Sequence, residues 1–208
     1  MCGRYSFFDT EALYERFDVP KGKEKLADRY NVAPGSAMPV ITGGEGRQVD
    51  VLRWGITPRW AKEKGGRGLI NARSETVAEK PTFKKLFERS RCLVPARGWF
   101  EWMRVDGKQP YYFQLKDHEL FSFAGLCDED EYLILTTNAL PSMQKVHHRM
   151  PVVLERGEED EWLNPDITEV GQLRSALDVS DALRFDFYQV SKSVNRADHD
   201  AATLIKKI

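Results

Sequence analysis

Apolar residues recur along this chain in two periods, one helical and one extended, and the extended one dominates. Leu13 and Phe17 stand four apart behind Asp9, which predicts a short helix capped by the Asp9 carboxylate and stopped at Val19-Pro20. Residues 38–42 and 48–54 read as strands around a turn at Gly43–Gly46. Pro81 suits the first turn of a helix bearing Phe83, Leu86 and Phe87. A strand at Cys92–Ala96 follows, then a hairpin running from Trp99–Val105 through Asp106-Gly107 into Tyr111–Lys116. Two further strands are predicted at Leu120–Leu126 and Tyr132–Thr137, short helices at 158–163 and 168–177, and a late strand at 184–190. Strands outnumber helices and do not alternate with them, so the expectation is an α+β fold with a largely antiparallel sheet. Without repeats or long linkers, residues 1–208 read as a single domain, with Lys62–Gly68 as a basic loop.

Composition narrows the function classes. Hydrophobic residues make up 41% of the 208, enough for a core and too many for a disordered chain. No apolar run reaches the ~18 residues of a membrane span. The start MCGRYSFFD lacks a cationic stretch followed by an apolar one, so no signal peptide is read there. A soluble cytoplasmic protein, monomeric by default, is the expectation. Cys2, Cys92 and Cys127 are too few and too dispersed for a disulfide framework or a thiolate zinc site. With no zinc spacing among the cysteines or histidines no metal is expected, and with neither phosphate-binding glycine motif present no nucleotide cofactor is expected. The net charge of -1 conceals a basic first half, +7 over residues 1–110, and an acidic remainder, -8. That asymmetry fits a local anionic partner such as a phosphate backbone, or scattered solvated charge.

Five places carry candidate chemistry. Cys2 becomes an N-terminal cysteine if Met1 is removed. Its thiol and amine, with ordinary pKa values near ~8.5 and ~8, would both have reactive fractions at neutral pH. An amine attacks an aldehyde to give an imine, and the adjacent thiol closes a thiazolidine; the alternative is a small residue that merely happens to follow Met1. In WFEWM, strand alternation sets Glu101 on the face of Trp99 and Met103, opposite Phe100 and Trp102. There a carboxylate either rises in pKa toward acid–base use or pairs with a buried cation such as Arg97. Asn71, Arg73 and Glu75 alternate, so they aim one way if extended; the alternative is a turn-capping Asn beside a surface Arg–Glu pair. His147 and His148 would point oppositely on a strand, and they lack the spacing of a helical zinc pair. Trp54, Trp60 and Trp102 beside Arg53, Arg59 and Arg104 fit base stacking on single-stranded nucleic acid, or simply core.

Taken together, the segments MCGRY, RYNVAP (29–34), RWGITPRWA (53–61), NARSET (71–76), CLVPARGWFEW (92–102), FAGL (123–126), LTTNA (135–139) and HHRMPVVL (147–154) closely resemble the SOS response-associated peptidase family. VSKSVNRADHD (190–200) fits its C-terminal pattern more weakly. The resemblance implies an α+β fold with a β-barrel-like core. It also implies a DNA-repair role: binding single-stranded DNA and capturing abasic sites as a thiazolidine through Cys2. Self-catalysed Met1 removal and weak lyase activity accompany that role. By the same resemblance Cys2 is the nucleophile, Asn71 the positioning amide, Glu101 the acid–base carboxylate and His147 the catalytic histidine, with His148 between it and Arg149. Arg4, Arg73 and Arg149 match phosphate contacts, Trp60 and Trp102 match residues against the bases, and Pro34 matches the pocket rim. When bound to DNA the protein would sit on the nucleoid. A cysteine peptidase acting on other proteins, with Cys2 and His147 as a dyad, and a passive single-strand binder are the competing readings.

Overall fold

The computed structural model describes residues 2–22, 26–44, 46–58, 61, 66, 68–103, 108–168, 170–179 and 183–208. Their strands form two sheets. The first is antiparallel throughout: β1 (Tyr5–Phe7), β2 (Arg29–Val32), β7 (Gly98–Met103), β8 (Gln109–Leu115) and β13 (Phe185–Gln189), in the order β13-β8-β7-β1-β2.

The second sheet closes on itself. β3 (Ala37–Thr42) pairs β4 (Gln48–Trp54) and β6 (Arg91–Ala96), β6 pairs β9 (Phe121–Asp128), and β9 pairs β10 (Glu131–Asn138). β10 then returns to β4 in parallel, completing a five-stranded barrel that leaves no unpaired edge within the ring. Three short strands extend it: β5 (Asn71–Arg73), parallel to β10, β11 (Arg149–Pro151) on β10, and β12 (Val153–Leu154) on β9. The resemblance thus foresaw the barrel-like core, while the two parallel pairings of β10 depart from an otherwise antiparallel pattern.

Tyr5 joins the two sheets. From β1 its ring meets Trp54 edge-on at 5.2 Å and Phe123 at 6.0 Å, and its hydroxyl lies 2.7 Å from that of Tyr132. A buried phenol needs such a partner, and the Tyr5–Tyr132 bond anchors the N-terminal segment to the barrel. The alternation read in WFEWM holds: Trp99 stacks on Phe113 at 5.0 Å within the main core, as does Met103 on its margin. Phe100 and Trp102 face a second cluster built from Tyr112, Val190, Val194 and Leu204. Gly98 precedes them because a Cβ there would stand 2.3 Å from the Phe113 carbonyl oxygen.

The predicted strands and the Pro81–Arg89 helix are found within one or two residues of expectation. The Thr10–Phe17 helix is also present and ends in a left-handed residue at Asp18, just before Val19-Pro20. Its start differs. Asp9 is left-handed (φ 63°) and makes no cap bond. Its carboxylate accepts instead from Arg97 Nη2 at 2.5 Å, while Asp28 Oδ1 accepts from the Thr10 N–H at 3.2 Å. An ion pair from β6–β7 outcompetes the local cap, and a residue 18 positions away supplies it. The Asp106-Gly107 turn and most of Lys62–Gly68 lie outside the described residues. Among the described residues, no helix is long and apolar enough to cross a membrane.

Candidate active site

The chain start is held beside the barrel by β5 and β7. Asn71, first residue of β5, donates from Nδ2 to the Cys2 carbonyl at 2.8 Å. Phe100 N–H donates to the Arg4 carbonyl at 3.0 Å, and β7 continues the pairing at Trp99–Tyr5. That register sets Glu101, next along β7, beside residues 2 and 3. His147, two residues before β11, brings Nδ1 to 4.0 Å from Glu101 Oε2. Cys2, Asn71, Glu101 and His147 therefore meet at one place, although they are scattered over 146 positions of the chain.

The electrostatics follow from burial. Glu101 is 3% exposed, and burial pushes its carboxyl up to about 7. Cys2 is fully buried, and burial first, then the Glu101 charge, pushes its thiol well above the usual range. That shift belongs to the chain that still carries Met1, whereas the expected thiolate fraction is that of a freed N-terminal cysteine. His147 Nδ1 lies 3.0 Å from the Arg149 backbone N–H and 3.1 Å from the Arg149 carbonyl oxygen, so the Arg149 backbone holds the ring whichever nitrogen carries its proton. Asn71 Oδ1 is a buried acceptor without a hydrogen-bond partner among the described residues. His148 is exposed and its ring stacks on that of His147 at 4.6 Å. The expected opposite orientation fails because both residues precede the strand, where alternation does not apply.

Glu101 does not pair with Arg97, whose guanidinium goes to Asp9 and to the Phe8 and His118 carbonyls. The three arginines matched to phosphate differ sharply. Arg4 donates from Nη1 to Asn31 Oδ1 at 2.8 Å and to the Val194 carbonyl at 2.9 Å, which ties β1 to the C-terminal segment. Arg149 is buried, with both terminal nitrogens bonded to Glu75. Arg73 alone is exposed, and its guanidinium has no acceptor among the described residues. Glu75 thus pairs with Arg149, not with Arg73 as the surface-pair alternative had it.

Trp102 is half-buried and donates from Nε1 to Asn195 Oδ1 at 2.7 Å. Pro34 lines a cleft of about 460 Å³ with Gly35, Arg53, Trp54, Thr57 and Ile70. Trp60 lies outside the described residues. No cluster of three metal-ligating side chains occurs among the described residues. Sequence reasoning missed the partners that hold these groups: Asn31 for Arg4, Asn195 for Trp102, Glu75 for Arg149. The only signal for them was their place inside the RYNVAP, SVNR and NARSET segments.

The family model described as SOS response associated peptidase (SRAP) matches residues 1–197. The abasic site processing protein YoaM of Bacillus subtilis is 39% identical, covering 99% of this chain and 97% of that protein. The abasic site processing protein YedK of Escherichia coli is 32% identical over the whole of both chains. A crystal structure of a protein from Bacteroides thetaiotaomicron superposes with a TM-score of 0.85 at 28% identity, covering all of both chains. Fold, motifs and relatives agree, and the chain belongs to the SOS response associated peptidase family.

Proposed function

We propose that this protein processes abasic sites in DNA, capturing the ring-opened sugar aldehyde in a single strand as a covalent adduct of Cys2. The observation that carries this reading is the meeting of Cys2, Asn71, Glu101 and His147 at one buried place. The relatives named for abasic site processing support the substrate class.

The chemistry is derived from those four residues. Removal of Met1 frees the Cys2 amine, which must be neutral to attack the aldehyde carbon. Glu101, with a carboxyl that titrates near neutrality, accepts a proton from the amine and returns one as the carbinolamine loses water to give the imine. A ring N–H of His147 donates to the sugar oxygen as the furanose opens. Asn71 holds the Cys2 carbonyl, fixing the amine for attack, an arrangement whose ceiling is about 7–11 kcal/mol of barrier. The thiol then adds across the imine: sulfur bonds to the former aldehyde carbon, its proton passes to nitrogen, and a thiazolidine results.

Self-catalysed Met1 removal uses the same carboxylate, and β-elimination from the imine gives weak lyase activity. Exposed Arg73 supplies a phosphate contact and half-buried Trp102 a stacking edge. The test is denaturing electrophoresis of the purified protein with a single-stranded oligonucleotide containing one abasic site, beside intact DNA and Cys2→Ala. A heat-stable shifted band only for wild type with abasic DNA is expected. Absence of the band from protein confirmed by mass to begin at Cys2 overturns the reading and points to peptide substrates. Equal, purely non-covalent binding of both strands points to a passive binder.

A further inference from the structure

Glu75 was not among the residues matched to a role, yet it sits at the join of two active-site segments. It follows Asn71 by four residues, and Arg149 follows His147 by two. β5 and β11 are both paired to β10, at Arg73–Thr136 and Arg149–Asn138. Arg149 binds elements from each of them. Nη1 donates to Glu75 Oε1 and, at 2.9 Å, to Asn138 Oδ1. Nη2 donates to Glu75 Oε2 at 2.9 Å and to the Thr136 carbonyl at 2.6 Å. The same Thr136 oxygen accepts from the Ser74 N–H at 2.9 Å, so both of its lone pairs are used. All four terminal guanidinium protons are engaged, and the bidentate carboxylate fixes the plane of the fork. The backbone of this immobilised arginine is what His147 rests on, through the N–H bond to Nδ1 at 3.0 Å.

We propose that Glu75 is a positioning residue: its bidentate grip on Arg149 clasps the Asn71 segment to the His147 segment and, through the Arg149 backbone, sets the His147 ring. It resembles the outer partners that orient metal-bound histidines, where removing the partner costs about 10–100-fold. The inference rests on the abasic-site reading for its kinetic consequence, though not for its structural one.

The experiment uses the full chain as wild type, Glu75→Ala and Glu75→Gln, the last keeping shape and one acceptor in case the alanine variant fails to fold. Two readouts are taken. The first is the ¹⁵N NMR signature of the His147 imidazole, expected in wild type to show a single tautomer held by the Arg149 backbone. In either variant the two tautomers should mix. The second is the cross-linking rate at saturating abasic oligonucleotide beside the concentration giving half that rate. We expect the saturating rate to fall about tenfold in Glu75→Ala, less in Glu75→Gln, with the half-saturating concentration unchanged. An unaltered His147 signature in a folded variant overturns the clasp. So does a change confined to the half-saturating concentration, since Glu75 would then only govern how Arg149 meets DNA. If wild type gives no adduct the abasic-site reading fails, and the NMR signature still decides the clasp.

Discussion

Two buried carboxylates, Glu101 and Glu159, occupy regions of opposite character. Glu159 is 1% exposed and saturated: Arg16 donates to both oxygens at 3.0 and 2.8 Å, Ser122 Oγ donates at 2.7 Å, and Arg47 stands at 3.6 Å. Glu101 is nearly as buried, but the imidazole beside it stands at 4.0 Å and desolvation dominates its titration. The first region joins the N-terminal helix to β9 and the Glu159–Leu163 helix with charge fully matched. The second holds a carboxyl whose two protonation states are nearly balanced at neutral pH. Burial alone therefore does not set how a carboxyl titrates; the guanidinium beside Glu159 makes the difference between the two places.

Substitutions should pull the two apart. Glu159→Ala leaves Arg16 facing a buried site without its carboxylate and should cost about 3–5 kcal/mol of stability, read by denaturant unfolding. The remaining folded protein should cross-link abasic DNA at the wild-type rate, and a slowed rate per folded molecule would erase the distinction. Glu101→Gln should do the reverse, slowing cross-linking about 100-fold, the low end for lost acid–base catalysis.

The pH dependence sharpens the contrast. The Glu101 carboxyl titrates near 4.5 unfolded and about 7 folded, so the native state binds more protons between those values. Its stabilising contribution is complete below about pH 4.5, declines as pH rises toward 7 and is gone above it, a span of roughly 3 kcal/mol. Unfolding curves of wild type and Glu101→Gln should therefore converge in acid and separate toward pH 8, with the variant the more stable. Parallel curves would mean that the carboxyl is not shifted. The smallest expected effect belongs to exposed Arg73: Arg73→Ala should weaken single-strand binding evenly across sequences and reduce the slope of log affinity against log salt by about 1. A loss that depends on base sequence would deny the phosphate contact.

Much of this was legible in the sequence. The strands at 38–42 and 48–54, the helix begun by Pro81 and the two faces of WFEWM are local consequences of side-chain period and of proline geometry, and the structure keeps them. The family motifs likewise named Cys2, Asn71, Glu101 and His147 before any coordinates. The environment of each was less legible. A sequence assigns Cys2 an ordinary thiol; only burial in the assembled fold raises it. It offers Asp9 as a cap, yet Arg97 reaches it from 88 positions away. It presents Arg4, Arg73 and Arg149 as equal cations, and long-range partners leave one of the three exposed.

The sequence by itself determined where the longer strands of the chain's middle and the Pro81 helix form, which family the chain resembles and which side chains are available for chemistry, while the short strands β1, β2, β5, β11 and β12 were not read from it. The closure of the barrel through the parallel β4–β10 pairing, the meeting of four distant residues, the seat of His147 on the Arg149 backbone and the division of the arginines between structure and solvent were decided only by tertiary structure. The physical reason is that solvation and partner choice are properties of a place in space, and residues from the chain start, β5, β7 and the segment before β11 share that place only after the sheets have formed.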